Sequence, residues 1–259
     1  MPFAQLKDVR IHYDLAGPSD APVLVFSNSL GETLSMWDPQ TQVFQKQFRV
    51  LCYDTRGHGQ SSVTPGPYTI EQLARDVLAL LDELHIDRVY FCGLSMGGQT
   101  GMWLALNAAN RFQKLVLSNT AAKIGSLEIW NPRIEAVRKG GMKSISAGVM
   151  ERWFSAEYRA KSPDVVASTK LTFEGANPEG YVANCAAIRD FDARDAIAGI
   201  RVPTLVIAGA HDVATTSSEG RYLADHIAGA RYVELNAAHL SNIENHDRFN
   251  TELSAFLLS

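Results

Sequence analysis

Cysteine is scarce in this chain: only Cys52, Cys92 and Cys185 occur in 259 residues. So odd and sparse a set, without the paired spacing of zinc ligands, predicts neither a disulfide framework nor a metal site. Long apolar runs are absent too, since no stretch approaches the ~18 residues that a membrane span requires. Residues 1–7 lack the charged start and apolar run of a secretory signal, so a soluble, unexported, cytoplasmic protein with no membrane partner is expected. Charge of one sign is also missing: 24 Lys and Arg against 28 Asp and Glu leave a formal net charge of −4. Without a basic run, a nucleic-acid partner is excluded from the expectation.

What the chain does have is apolar residue at 46% and a βαβ rhythm. Residues 3–6 and 10–15 read as an N-terminal hairpin, 22–27 and 48–53 as strands, and 43–47 as part of a helix. Thr69-Ile70-Glu71-Gln72 opens a helix whose apolar stripe is Ile70, Leu73, Ala74, Val77, Leu80, Leu81 and Leu84. Strands follow at 89–92, 114–118, 204–209 and 232–235, and an amphipathic helix at 247–258 closes the chain. Such alternation predicts an α/β fold with a mostly parallel sheet covered on both faces. Between residues 121 and 201 the strand pattern lapses into helical patches broken at Gly140-Gly141, Ser162-Pro163, Asn177-Pro178 and Gly199. Roughly eighty residues exceed what a crossover needs. The expected division is a core of residues 1–121 and 201–259 with an inserted helical cap, 122–200, over the carboxyl edge of the sheet.

Gly93-Leu94-Ser95-Met96-Gly97-Gly98 places a serine between a strand and a helix with glycines two residues either side. A sharp turn there tolerates only small neighbours and lifts the hydroxyl clear of the sheet, which is the nucleophile-elbow pattern. A serine hydroxyl needs a base and an orienting acid. Asp212 lies just past the strand 204–209, and His239 on the loop after 232–235, both at the edge where open α/β sheets carry their chemistry. Of the other histidines, His12, His85, His226 and His246 fall in a strand, at a helix end, inside a helix and at a helix start, and read as structural or surface residues. His58, in Asp54-Thr55-Arg56-Gly57-His58-Gly59, and His211, beside Asp212, are placed where they could line the site.

The order Ser95, Asp212, His239 is that of the α/β-hydrolases, which the chain resembles from end to end. Within them it resembles the 3-oxoadipate enol-lactonases, enzymes of aromatic-compound catabolism in the β-ketoadipate pathway. The narrower likeness rests on Phe26-Ser27-Asn28-Ser29-Leu30-Gly31, Met36-Trp37-Asp38, Asp54-Thr55-Arg56-Gly57-His58-Gly59, Leu94-Ser95-Met96-Gly97-Gly98 and Trp130-Asn131-Pro132-Arg133-Ile134. Asn28-Ser29 replaces the His-Gly of most α/β-hydrolases, and Ala238 stands where glycine commonly precedes the histidine.

The resemblance implies an eight-stranded α/β-hydrolase sheet, in which a third strand separates those of Cys52 and Cys92 and keeps both thiols reduced. It implies an oxyanion hole from the backbone N–H groups of Leu30 and Met96, and hydrolysis of an anionic lactone through an acyl-enzyme with no cofactor. For the substrate carboxylate the cap offers Arg133, Arg138, Lys139, Lys143 and Arg152. Arg133 is favoured because Trp130-Asn131-Pro132 is read as a fixed turn with an aromatic wall, Trp153 being a second wall. Other carboxylesterases or perhydrolases, carbon–carbon bond hydrolases of ring-cleavage products, and a hydrolase-fold small-molecule receptor remain alternatives.

Overall fold

The computed structural model describes residues 2–259. Eight strands, β1 (Phe3–Gln5), β2 (Arg10–Ala16), β3 (Val23–Ser27), β4 (Arg49–Tyr53), β5 (Val89–Leu94), β6 (Phe112–Ser118), β7 (Thr204–Gly209) and β8 (Arg231–Leu235), form one sheet in the order β1-β2-β4-β3-β5-β6-β7-β8. The first two pair antiparallel, as does β2 with β4, and every later neighbour is parallel. A parallel strand covered on both faces must be apolar throughout. β3 and β7 accordingly are buried at every position. Alternate residues feed two separate cores, because successive side chains leave a strand on opposite faces. Leu24, Phe26, Cys52 and Val116 pack with Trp37, Phe44 and Phe249, while Val25, Leu51, Phe91 and Leu117 pack with Val77, Leu80 and Met102.

On the first face lie α1 (Asp38–Phe44) and the last helix, α11 (His246–Leu257); on the second lie α2 (Ile70–Glu83), α3 (Met96–Asn107) and α9 (Ser217–His226). In α2 the Thr69 hydroxyl accepts from the Gln72 N–H, and residues 70, 73, 74, 77, 80 and 81 are buried at the expected spacing. α1 departs from expectation, running from Asp38 to Phe44 rather than over 43–47. Its first turn holds Pro39, whose missing N–H has no partner to lose there.

Between β6 and β7 the chain forms α4 (Leu127–Gly140), α5 (Lys143–Trp153), α6 (Ala156–Lys161), α7 (Pro163–Glu174) and α8 (Pro178–Asp190). α4 packs on α5 and α8, and α5 on α7. Gly141, with φ of +67°, ends α4, and Pro163 and Pro178 begin α7 and α8. A further break at Phe154-Ser155 carries no Gly or Pro; the Ser155 hydroxyl caps α6 instead, accepting from the Tyr158 N–H. Residues 130–132 are not the turn expected of them, for they lie inside α4 with Pro132 in its second turn. α10 (Ser241–Glu244) precedes α11.

Phe26 on β3 is in register with Cys52 on one side and Cys92 on the other, so a whole strand separates the two thiols. All three cysteines are free and buried. Burial pushes the Cys52 and Cys185 thiols up to about 12, and raises that of Cys92 well above its ordinary value.

Candidate active site

Parallel pairing aligns the carboxyl ends of the strands: Ser27 lies beside Gly93, Leu94 beside Ser118, Ser118 beside Ile207 and Gly209 beside Leu235. The residues that follow these ends are therefore neighbours in space however distant in sequence. Ser95 is one of them, with φ of 57° and ψ of −111°, a region costly for a residue bearing a Cβ. Its N–H donates to the Ser118 carbonyl, and its own carbonyl accepts from the Thr120 hydroxyl at 2.7 Å. The flanking glycines are obligatory by space: a Cβ on Gly93 would lie 2.1 Å from the Gly97 carbonyl oxygen, and one on Gly97 2.2 Å from that of Ser27.

Asp212, buried past the end of β7, accepts from His239 Nδ1 at 2.8 Å. Its Oδ2 also accepts from Asn119 Nδ2 at 3.0 Å and the Thr215 hydroxyl at 2.8 Å, and Oδ1 accepts from the backbone N–H groups of Ala214 and Thr215. Burial pushes this carboxyl up, but the His239 imidazole and the hydrogen bonds from His239, Asn119 and Thr215 outweigh it and hold the group below its ordinary value. A carboxylate so bound fixes the imidazole with Nδ1 protonated and Nε2 free to accept a proton. Asn119 and Thr215 escaped sequence reasoning. Their signal was positional: Asn119 directly follows β6, which lies between the strands that carry Ser95 and Asp212, and Thr215 lies three residues past Asp212.

The loop after β3 is held from several sides. Asn28 donates from Nδ2 to the Tyr53 carbonyl, accepts at Oδ1 from Trp37 Nε1, and accepts at its carbonyl from the Gly97 N–H. Gly31, with φ of +88°, follows Leu30. Neither Leu30 nor Met96 has an acceptor for its backbone N–H among the described residues, and Met96 heads α3, where the helix leaves such groups unpaired. Glu32 is buried with one carboxyl oxygen unpartnered, and burial pushes its carboxyl up to about 8.

Ser95, His239, Ser29 and Leu30 open on one cavity of about 570 Å³, whose other walls include Trp130 and Arg133 of α4, Arg152 and Trp153 of α5, Ile188 of α8, and Val213 and Ala214 past β7. The Trp130 indole N–H donates to the Ile124 carbonyl, and Trp153 packs edge-on against Phe173. Arg133 stacks over the Trp130 ring at 5.3 Å and donates from Nε to the Tyr181 hydroxyl. Burial, and then the nearby Arg133 charge, lower the Arg152 pKa. Of the other cations considered, Arg138 and Lys139 face Glu135 away from the cavity, and Lys143 is exposed. His58 and His211 do not line the cavity either. His58 is buried behind the Leu30 loop, and His211 bonds Asn236 at the surface. His12 is a satisfied core residue, 2.6 Å from Asp54. Among the described residues no cluster of metal-ligating side chains occurs.

Residues 22–246 match the family described as the alpha/beta hydrolase fold. Over 97% of its length the chain is 43% identical to 3-oxoadipate enol-lactonase 2 of Acinetobacter baylyi, covering 94% of that protein. The chain belongs to the α/β-hydrolases, in the 3-oxoadipate enol-lactonase family. The crystal structure of the enol-lactonase from Burkholderia xenovorans superposes with a TM-score of 0.98 at 50% identity, each chain covered in full. A Pseudomonas aeruginosa hydrolase of 44% identity superposes at 0.97 over 100% of this chain and 98% of its own. As an enol-lactonase family member the chain is a hydrolase of the lactone and ester class, and Asn28, which departs from most α/β-hydrolases, serves here to brace the loop after β3.

Proposed function

We propose that the protein opens 3-oxoadipate enol-lactone to 3-oxoadipate, with Ser95 as nucleophile, His239 as base and Asp212 as the acid that orients it. The observation that carries this reading is one cavity lined by Ser95, His239 and two arginines that form no salt bridge among the described residues, with Asp212 bonded behind His239. Ser95 Oγ attacks the lactone carbonyl carbon while His239 Nε2 takes its proton. The carbonyl oxygen becomes an alkoxide held by the Leu30 and Met96 N–H groups, fixed donors worth roughly 2.7–4 kcal/mol apiece. Collapse breaks the ring C–O bond as the His239 imidazolium gives its proton to the leaving oxygen, which departs as an enol that becomes a ketone. Water, deprotonated by His239, then releases the six-carbon 3-oxo diacid and restores Ser95. No step needs a cofactor.

The substrate carboxylate, stripped of water, needs replacement donors. Arg133 presents a guanidinium to the cavity, and Arg152 stands near enough that their like charges oppose each other. An anion between them offsets that repulsion, which supports a substrate bearing a carboxylate rather than a neutral ester. Residues 122–200 form the cap in this reading and carry the arginines; residues 1–121 and 201–259 carry the bond-breaking groups. Purified protein and the enol lactone test it directly: steady multiple turnover that Ser95→Ala abolishes is expected. A single turnover followed by stalling would favour a receptor, and turnover of neutral esters alone a general carboxylesterase.

A further inference from the structure

His58 lies outside the reaction cavity, yet it is bonded to the loop that forms one side of it. The Glu32 N–H donates to the Ser29 carbonyl, and Gly31 has φ of +88°, so residues 29–32 form a turn of type II character with Leu30 and Gly31 at its centre. Such a turn converts to type I by rotation of its central peptide, and glycine puts little steric resistance in the way. Something must fix the Leu30–Gly31 peptide. His58 Nε2 accepts from the Gly31 N–H at 2.8 Å. Burial lowers the His58 pKa to about 4, so its ring is neutral at ordinary pH and Nε2 keeps its lone pair. A flipped peptide would turn the Leu30 carbonyl oxygen toward that lone pair, two acceptors facing each other.

The imidazole is itself held from the cap. With Nε2 accepting, its proton sits on Nδ1 and faces the Arg56 carbonyl, which Asn184 Nδ2 fixes in turn by donating to it and to the Gly180 carbonyl. Helix α8 is seated against the loop with no room to spare, since a Cβ on Gly180 would come within 2.2 Å of the Gly57 carbonyl oxygen. A Cβ on Gly31 would likewise meet Phe173 at 2.7 Å and Tyr181 at 3.2 Å, and Tyr181 accepts from Arg133. One helix thus backs both the histidine behind the turn and the arginine at the cavity.

We propose that His58 is a positioning residue for the reaction: by accepting from Gly31 it anchors the 29–32 turn, whose closing bond from the Glu32 N–H to the Ser29 carbonyl holds the Ser29–Leu30 peptide so that the Leu30 N–H points at the developing oxyanion. The inference rests on Leu30 being an oxyanion donor. An oxyanion donor acts on the transition state and not on the bound substrate, so its displacement lowers kcat while leaving KM nearly unchanged.

The test uses full-length His58→Ala and His58→Gln, the latter keeping an acceptor near the position of Nε2. A boronic acid that adds to Ser95 reports tetrahedral-adduct binding, 3-oxoadipate reports ground-state binding, and thermal melting reports folding. Expected for His58→Ala is a loss in kcat of roughly ten- to hundredfold with KM within about twofold. Boronate affinity should weaken in parallel, product inhibition should stay as in the parent, and His58→Gln should recover part of the loss. Parent-like kcat in folded His58→Ala, or a loss of kcat with undiminished boronate affinity, overturns the proposal. If His58→Ala does not fold, His58→Gln decides: kcat and boronate affinity within about tenfold of the parent support the acceptor role, and a larger loss of both overturns it. Failure of the parent to turn over the lactone while still binding boronate at Ser95 would refute the substrate assignment alone, and the boronate comparison would still decide on His58.

Discussion

Asn119 and Asp212 follow neighbouring strands and are joined by a hydrogen bond of 3.0 Å from the Asn119 amide to the carboxylate oxygen that also accepts from His239. The same amide donates to the Ala238 carbonyl, immediately before His239. One side chain therefore locates both the acid and the base of the proposed triad. Asn119→Asp, nearly isosteric, replaces a donor by a second carboxylate beside His239. Added negative charge favours the imidazolium, so the acid limb of kcat/KM against pH should move to higher pH by about one unit. A limb that stays in place would show that Asn119 is a strut without electrostatic influence.

Ser95→Ala, His239→Ala and Asp212→Asn are each expected to lower kcat by orders of magnitude with little change in melting temperature. Because the three groups act as a unit, a double variant should be little worse than the poorer single. Near-parent turnover by Asp212→Asn would move the acid elsewhere. In the parent, lowering the pH should extinguish kcat/KM with uptake of a single proton, since protonated His239 cannot accept from Ser95.

For Arg133→Ala, kcat/KM on the enol lactone should fall about tenfold or more, equivalent to ~1.4 kcal/mol, with hydrolysis of a neutral phenyl ester barely changed. Equal losses on both substrates would indicate disturbed packing around Trp130 and Tyr181. Loss with Arg152→Ala alone would transfer the anion contact to α5.

Glu32 gives the protein an alkaline weakness. Its folded-state pKa, about 8, lies above the ordinary value of 4.5 because burial disfavours the charge. A carboxyl raised in this way binds more protons folded than unfolded, so stability is highest below the unfolded value, declines as pH rises from there to about 8, and is flat above. Glu32→Gln should abolish that slope and raise stability above pH 8 by a few kcal/mol. Denaturant titrations of both proteins from pH 5 to about 9 measure it, and parallel curves would place a partner beside the Glu32 carboxyl.

The sheet, and the placing of Ser95, Asp212 and His239 past its strand ends, were legible in the sequence because they depend on local patterns. Buried parallel strands such as Thr204–Gly209 read as unbroken apolar runs, and a strained turn at Ser95 demands the glycines that betray it. Residues 130–132 misled because proline was taken as a turn signal, whereas α4 accommodates Pro132 in its second turn. Val43 lent its neighbourhood an apolar look, but α1 is set by Pro39 at its start. Asn119, Thr215 and Tyr181 were invisible for a different reason. Their roles come from partners 93, 3 and 48 residues away, and only the spacing of three leaves any local trace.

The three buried thiols have a practical consequence. Cys52, Cys92 and Cys185 are withdrawn from solvent and held as protonated thiols, the form that does not attack maleimides or haloacetamides. The native chain is thus already a silent background for site-directed labelling. One cysteine placed at Leu171, which is 70% exposed on α7, and another at Lys7, exposed near the amino end, would carry a dye pair without replacing any native residue of the sheet. The distance between the dyes, followed during turnover, would report directly whether the helices over Ser95 move as product leaves.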